Sequence, residues 1–379
     1  MTFEFATAGR ILFGPGTARH LAPAAASMGS RPLVVTGASP ERAAPLVASL
    51  DYTAFAVAGE PTISVIRDGA QLARDAGCGL VIAIGGGSAI DTGKALAALL
   101  TNPGDPLDYL EVIGRGQPLK NQSAPCIAVP TTAGTGSEVT RNAVLASPQD
   151  RVKASLRSAY MLPRLAIVDP DLTLDLPRPI TAATGLDALT QLIEPYVSIR
   201  ANPMADQFCV EGMRRAATGL PRTFDNGQDR EAREAMSLAS LFGGLALANA
   251  GLGAVHGFAA AIGGMFPAPH GAVCAAVLPH AMEINIAALR RRDPESLALL
   301  RYQEIARILT GRSQAIAEEG TQWVADLCRH LEIPPLGAYG VGRDDAEAVI
   351  EKAASASSMK ANPLVLTPTE LREILAGAM

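Results

Sequence analysis

Short, largely apolar runs recur through the first half of the chain, separated by stretches with helical spacing. Residues 33–36, 54–58, 80–84, 126–130 and 165–168 read as strands. Runs with little polar alternation are strands covered on both faces. Between them, 40–50, 63–76 and 88–100 read as helices, the last with Ile90, Gly93, Ala97 and Leu100 along one face. Alternation of this length predicts a parallel, doubly wound sheet. Residues 104–123, dense in Pro, Gly, Asp and Asn, form a long connection, and 140–164 hold further strand and loop.

The pattern changes after Asp169-Pro170-Asp171 and Pro177-Arg178-Pro179, beyond which it is helical throughout. The expected organisation is an α/β Rossmann-like domain over 1–170 and an all-α domain over 171–379, with the site expected in a cleft between them. From Glu234 to Glu283 the chain carries no intervening Asp, Glu, Lys or Arg, and 241–266 is apolar enough to suggest a membrane span. Its Gly and Ala content, together with Asn249 and His256, favours instead a helix buried on all sides within a bundle. No membrane association is expected.

Composition narrows the class. The 379 residues are 48% hydrophobic but only 4% aromatic, so the core is built from Ala, Leu, Val and Ile. A formal charge of −5 argues against a nucleic-acid surface, and the one basic run, Arg290-Arg291-Arg292, lies beside Asp293 and Glu295 as a solvated helix end. The five cysteines show no CxxC spacing, the usage of a reduced compartment. The segment Met1-Thr2-Phe3-Glu4-Phe5-Ala6 lacks the basic start and apolar core of a signal peptide, so the cytoplasm is the expected location.

Two glycine-rich segments follow strands directly: Gly85-Gly86-Gly87-Ser88, and Thr131-Thr132-Ala133-Gly134-Thr135-Gly136-Ser137. A strand that ends in glycines and runs into a helix presents unpaired N–H groups at the helix's positive end, and without Cβ atoms that backbone can approach a pyrophosphate. The plainer alternative is two tight turns. At the end of the first strand, an acidic residue would accept a bond from an adenosine ribose hydroxyl and repel a 2′-phosphate. The chain has Gly37 there, with Ser39 and Arg42 as potential phosphate donors. That pattern favours NADP(H) or dual use of NAD(P)(H), against the alternative of a surface turn capped by Ser39.

In the charge-free stretch, His256 and His270 require explanation. A lone histidine in apolar surroundings is ordinarily a hydrogen-bonded core residue, whereas two in one Gly-rich region suggest a metal pair. Asp187 also lies among apolar residues, with Gln191 at i+4 on the same helix face. Asp187 reads equally as an early residue near a helix N-cap.

The segments Gly85-Gly86-Gly87-Ser88-x-x-Asp91 and Pro130-Thr131-Thr132-x-Gly134-Thr135-Gly136-Ser137-Glu138, then Asp187, then His256 and His270, occur in this order. In this the chain resembles the iron-containing (group III) alcohol dehydrogenases over essentially its whole length. The resemblance implies a dehydroquinate synthase-like architecture, a homodimer, and hydride transfer between NAD(P)(H) and a small alcohol or carbonyl substrate. It implies that Gly85, Gly86, Gly87, Ser88 and Asp91 hold the cofactor pyrophosphate region. Thr131, Thr132 and Ser137 would line the nicotinamide side, and Lys153 would reach a ribose hydroxyl. Asp187, Gln191, His256 and His270 would hold Fe²⁺ or Zn²⁺. Two positions depart from the family pattern: Gln191 stands where a histidine is usual, and Ala260 where a further histidine is usual. Both departures keep open a metal-independent enzyme similar to maleylacetate reductases. A dehydroquinate-synthase-like lyase and an idle nucleotide-binding module are the remaining alternatives.

Overall fold

The computed structural model describes residues 2–379. The chain divides into two compact units. One comprises Ala6–Thr132 and Gly136–Thr173; the other comprises Leu174–Met379, the N-terminal residues up to Phe5, and Ala133–Thr135.

The first unit is built on strands β1 (Ile11–Phe13), β2 (Pro32–Thr36), β3 (Thr53–Ala56), β4 (Leu80–Gly85), β5 (Cys126–Pro130), β6 (Asn142–Ser147), β7 (Val152–Arg157) and β8 (Leu165–Val168). Six of them form a parallel sheet in the order β1-β8-β5-β4-β2-β3, and β6 and β7 pair separately as an antiparallel ribbon. Successive residues of the central strands feed two different cores. Leu33, Val35, Val81, Ala83 and Ala128 enter one, while Val34, Leu80, Ile82, Ile84, Ile127 and Val129 enter the other. Burial on both faces is why these strands read as unbroken apolar runs.

Helices α1 (Leu21–Met28), α2 (Ala44–Val47), α3 (Ile63–Asp75), α4 (Gly87–Thr101) and α5 (Pro106–Tyr109) complete the unit. The expected helix over 40–50 is reduced to a 3₁₀ turn, Pro40–Arg42, and the single turn of α2. Pro40 and Pro45 each lack the N–H that a continuous helix needs. Strand β1 was not anticipated; its three residues are too few to show a period, and it is held by parallel pairing with β8.

The second unit is helical: α6 (Arg178–Val197), α7 (Pro203–Asp225), α8 (Arg230–Ala250), α9 (Ala254–Met265), α10 (His270–Arg292), α11 (Leu297–Thr310), α12 (Ala317–His330), α13 (Ala346–Ser355) and α14 (Pro368–Ala378). The single buried helix expected over 241–266 is in fact two, α8 and α9, bent by 98° at their junction. Gly251 makes the break, adopting a φ of 77° that other residues rarely reach. Among the described residues α10 is the one single helix long and apolar enough to cross a membrane, the bent pair α8 and α9 passing only if taken together, and 78% of the apolar window of α10 is buried within the protein. The triple arginine is the last turn of α10, where Arg291 and Arg292 pair with Glu370.

Helix α4 lies flat on β4 because Gly93 has no side chain: a Cβ there would stand 2.5 Å from the Ala83 Cβ. Neither backbone can yield without disturbing the sheet. Gly93→Val is therefore expected to lower unfolding free energy by roughly 2 kcal/mol or more through overpacking. An unchanged denaturant midpoint would show that α4 and β4 are less closely fitted than this.

Candidate functional site

In the first unit the chain passes from β2 to β3 on one side, then to β4 on the other side of β2. Adjacent connections leave in opposite directions at that point, so a crevice opens beyond the carboxyl ends of β2 and β4. Gly37 follows β2, and Gly85-Gly86 ends β4 and begins α4. A Cβ built on Gly37 would meet nothing within 4 Å, and one on Gly86 only Thr132, at 3.4 Å. Space is left beside both glycines, and no side chain caps the first turn of α4. That free turn, with its partial positive charge, suits a pyrophosphate. Thr131 is tied to the same place by its N–H, which donates to the Gly85 carbonyl at 2.9 Å.

The other residues expected around a cofactor divide by what they touch. Ser137 donates to Asp91, whose second carboxylate oxygen accepts the Val144 N–H at 2.8 Å. Lys94, fully buried, donates to the Ser137 carbonyl and the Thr140 hydroxyl at 2.9 Å each and lies 3.1 Å from Asp91. Asp91 and Ser137 thus brace the loop after β5 against α4. Lys94 was missed from sequence, because a lysine inside a helical pattern ordinarily reads as surface. Neighbouring Glu138 is buried as well, and burial pushes its carboxyl up to about 7 against the opposing pull of Lys94. Lys153 on β7 is committed to Glu60, at 2.5 Å. Ser39 is exposed and makes no side-chain cap to the turn that follows it.

In the second unit, Asp187 lies well inside α6, not at its N-cap. Gln191 and Glu194 follow one and two turns later, and all three are buried. His256 lies in the first turn of α9, and His270 opens α10. The start of α10 approaches α6 closely because residue 271 is glycine; a Cβ there would stand 2.5 Å from the Ala183 carbonyl oxygen. His256 Nε2 then lies 3.4 Å, and His270 Nε2 3.8 Å, from Asp187 Oδ1. The two rings are 5.4 Å apart and tilted by 52°. Cys274, one turn beyond His270, brings its Sγ within 3.7 Å of His270 Nε2. One ligand atom from each of Asp187, His256, His270 and Cys274 falls within 4.8 Å of every other.

Burial alone raises the Asp187 carboxyl, but His256, His270 and Gln191 outweigh it and hold the group below its usual range. Burial likewise raises the Cys274 thiol, and the two histidines reverse that. By contrast, burial carries Cys126 and Cys328 up to about 12. Cys274 had been read with the other scattered cysteines. Its distinguishing signal was the i, i+4 spacing from His270.

Glu194 is the other residue the sequence did not disclose. It receives a hydrogen bond from His256 Nδ1 at 2.6 Å and from the Val255 N–H at 2.7 Å. A carboxylate on Nδ1 fixes the tautomer whose Nε2 lone pair faces Asp187. The approach requires Gly253, where a Cβ would stand 2.9 Å from Glu194 Oε1.

Asp187 Oδ1, His256 Nε2 and Gln191 Oε1 are buried without a hydrogen-bond partner. An orphaned buried polar atom costs about 1–3 kcal/mol, so such atoms in one place fit a ligand that satisfies them. The donor set, a carboxylate, imidazoles and a thiol, is that of a divalent transition metal. Gln191 is the weakest donor of the set, since its amide oxygen is neutral.

Comparison with known proteins agrees with both halves of this picture. Residues 8–170 match the family model for iron-containing alcohol dehydrogenase, and 181–379 match the model for the C-terminal part of that family. The chain belongs to the iron-containing alcohol dehydrogenase family. It is an oxidoreductase acting on alcohols, of a family that works with NAD(H) and a divalent metal. The enzyme is 36% identical over 320 residues to alcohol dehydrogenase 4 of Schizosaccharomyces pombe, covering 84% of this chain and 73% of that one. It is 36% identical over 338 residues to the 1,3-propanediol dehydrogenase of Citrobacter freundii, covering 87% and 84%. The solved alcohol dehydrogenase from Oenococcus oeni superposes with a TM-score of 0.90 at 34% identity, covering all of both chains.

The space beside Gly86 yields a direct check on the cradle. Gly86→Ala adds a methyl group that meets only Thr132 at van der Waals distance, on a backbone that alanine adopts readily. The enzyme is expected to keep its melting temperature within a few degrees while NADH affinity, by fluorescence titration, falls roughly tenfold or more. Unchanged affinity would place the pyrophosphate elsewhere.

Proposed function

We propose that the enzyme interconverts small alcohols and the matching aldehydes or ketones, by hydride exchange with NAD(P)(H) and with the help of a divalent metal. The observation that carries this reading is the convergence of unpartnered Asp187 Oδ1 and His256 Nε2 with His270 in a buried, largely apolar core. The 1,3-propanediol dehydrogenase relative acts on a short primary alcohol, which supports the substrate class.

Each part of the chain then has a task. Gly85 to Ser88 hold the pyrophosphate against α4, with Thr131 and Thr132 beside it, and Gly37 faces the adenosine ribose. Asp91, Ser137 and Lys94 keep the loop after β5 in shape. Asp187, His256 and His270 hold the metal, Glu194 holds His256 in the required tautomer, and Gln191 is the fourth position implied by the family pattern. A divalent metal bound there supplies Lewis acidity toward an alcohol or carbonyl oxygen. A nicotinamide held beside Thr131 and Thr132 would supply or accept the hydride, and positioning the reacting groups together would account for much of the rate. Ala260 offers no group to take the alcohol proton, so a histidine is not available at that position to act as its acceptor. Five free cysteines support a reduced, cytoplasmic setting, and the family pattern supports a homodimer.

The metal reading is tested by His270→Ala together with chelation of the wild type. The variant is expected to lose bound metal, by elemental analysis, and at least about 100-fold in kcat/KM. Full activity in wild-type protein shown to be metal-free would favour the metal-independent, maleylacetate-reductase-like chemistry instead.

The open space at Gly37 supports use of NADP(H), alone or beside NAD(H). Gly37→Asp is expected to lower the ratio of kcat/KM for NADPH over NADH by about tenfold, because a carboxylate there repels a 2′-phosphate. A ratio that does not fall would assign cofactor choice to another loop.

A further inference from the structure

We propose that Cys274 is itself a metal ligand, its thiolate completing a tetrad with Asp187, His256 and His270 that selects Zn²⁺ over Fe²⁺. The proposal rests on the metal-assisted reading above and goes beyond it in naming the fourth ligand and the ion.

The separations carry the argument. Zn–N and Zn–O bonds near 2.0–2.1 Å and a Zn–S bond near 2.3 Å, in a tetrahedron, set the ligand atoms roughly 3.3–3.6 Å apart. Asp187 Oδ1 to His256 Nε2 is 3.4 Å, Asp187 Oδ1 to His270 Nε2 is 3.8 Å, and His270 Nε2 to Cys274 Sγ is 3.7 Å. These are three of the six edges of such a tetrahedron, and the other three are each within 4.8 Å, before any ion draws the atoms together. Sequence spacing explains how two of the corners arise, since His270 and Cys274 occupy one face of the first turns of α10.

The cysteine is not a bystander of the core. It is fully buried, yet its sulfur is directed at His270 and two of its three partners in the cluster present unpartnered atoms. Gln191, the other candidate for the fourth place, offers a buried amide oxygen that carries no charge. A neutral amide oxygen is also a poor competitor with a thiolate for a transition metal. Thiolate ligation moves the preference toward zinc, for which mixed sulfur, nitrogen and oxygen sets are common. As the Zn–S bond forms, the thiol proton passes to water. Zinc can expand to five ligands, which leaves a place for a substrate oxygen.

The test uses the full chain, stripped of metal and titrated with Co²⁺. The wild type is expected to bind one ion with a near-ultraviolet thiolate-to-cobalt charge-transfer band. Cys274→Ser is expected to bind Co²⁺ roughly tenfold or more weakly and without that band, and to show a smaller zinc-over-iron preference in anaerobic competition. Because the serine variant has to fold to be informative, X-ray absorption at the zinc edge of wild-type protein provides a second measurement. It is expected to show one sulfur scatterer at about 2.3 Å. Co²⁺ bound one-to-one with no charge-transfer band, or zinc surrounded only by nitrogen and oxygen, would overturn the assignment of Cys274 and leave the metal reading standing. Wild-type protein that binds Co²⁺ no better than Asp187→Asn would overturn both.

Discussion

Everything in the helical unit is arranged around one unfavourable act, the burial of two carboxylates and an imidazole among apolar helices. Asp187, Glu194 and His256 are each at most 6% exposed. Isolated, each would cost several kcal/mol or lose its charge. Together they form a chain in which Glu194 binds one nitrogen of His256 and Asp187 faces the other. The packing follows from that requirement. Glycines stand where α9 and α10 have to come close to α6, and α8 and α9 are separate helices joined at Gly251.

The sheet unit solves a different problem, holding the loop after β5 in shape beside the glycines at the end of β4. It does so by burying a lysine. Lys94 reaches two acceptors on the loop after β5 and stands beside Asp91, which itself holds Ser137 and the Val144 amide. Hydrogen bonds to an ion in a low-dielectric setting are the strong ones. The loop is therefore stiff along one side, and the glycines on the other side remain accessible.

Much of this was legible in the amino-acid order. The parallel sheet declared itself through strands buried on both faces, and the glycine segments through their place at the strand ends. His256 and His270 were conspicuous because they stand in a stretch of about fifty residues without a charged side chain. Glu194 and Cys274 were not, for a physical reason: each looks ordinary in its own helix and gains meaning only from a residue elsewhere in the chain. Glu194 lies 62 positions from His256, and no local pattern links them. Gln191 illustrates the reverse case. Its helical spacing from Asp187 is as expected, and its buried side-chain oxygen is left without a hydrogen-bond partner. The failed helices have local causes, proline at 40 and 45 and a left-handed glycine at 251, which compete with hydrophobic spacing and win.

Glu194 also has a bearing on how the protein matures. The carboxylate that orients His256 is the same one that receives the Val255 amide at the start of α9, and the adjacent Ala254 amide is received by Asn362. Those contacts span 61 and 108 residues of chain. Contacts of such long range form late, once the loops between them have closed. During synthesis, then, the histidines and carboxylates emerge well before they are gathered. A metal ion held by them would be captured only once nearly the whole polypeptide had been made and folded.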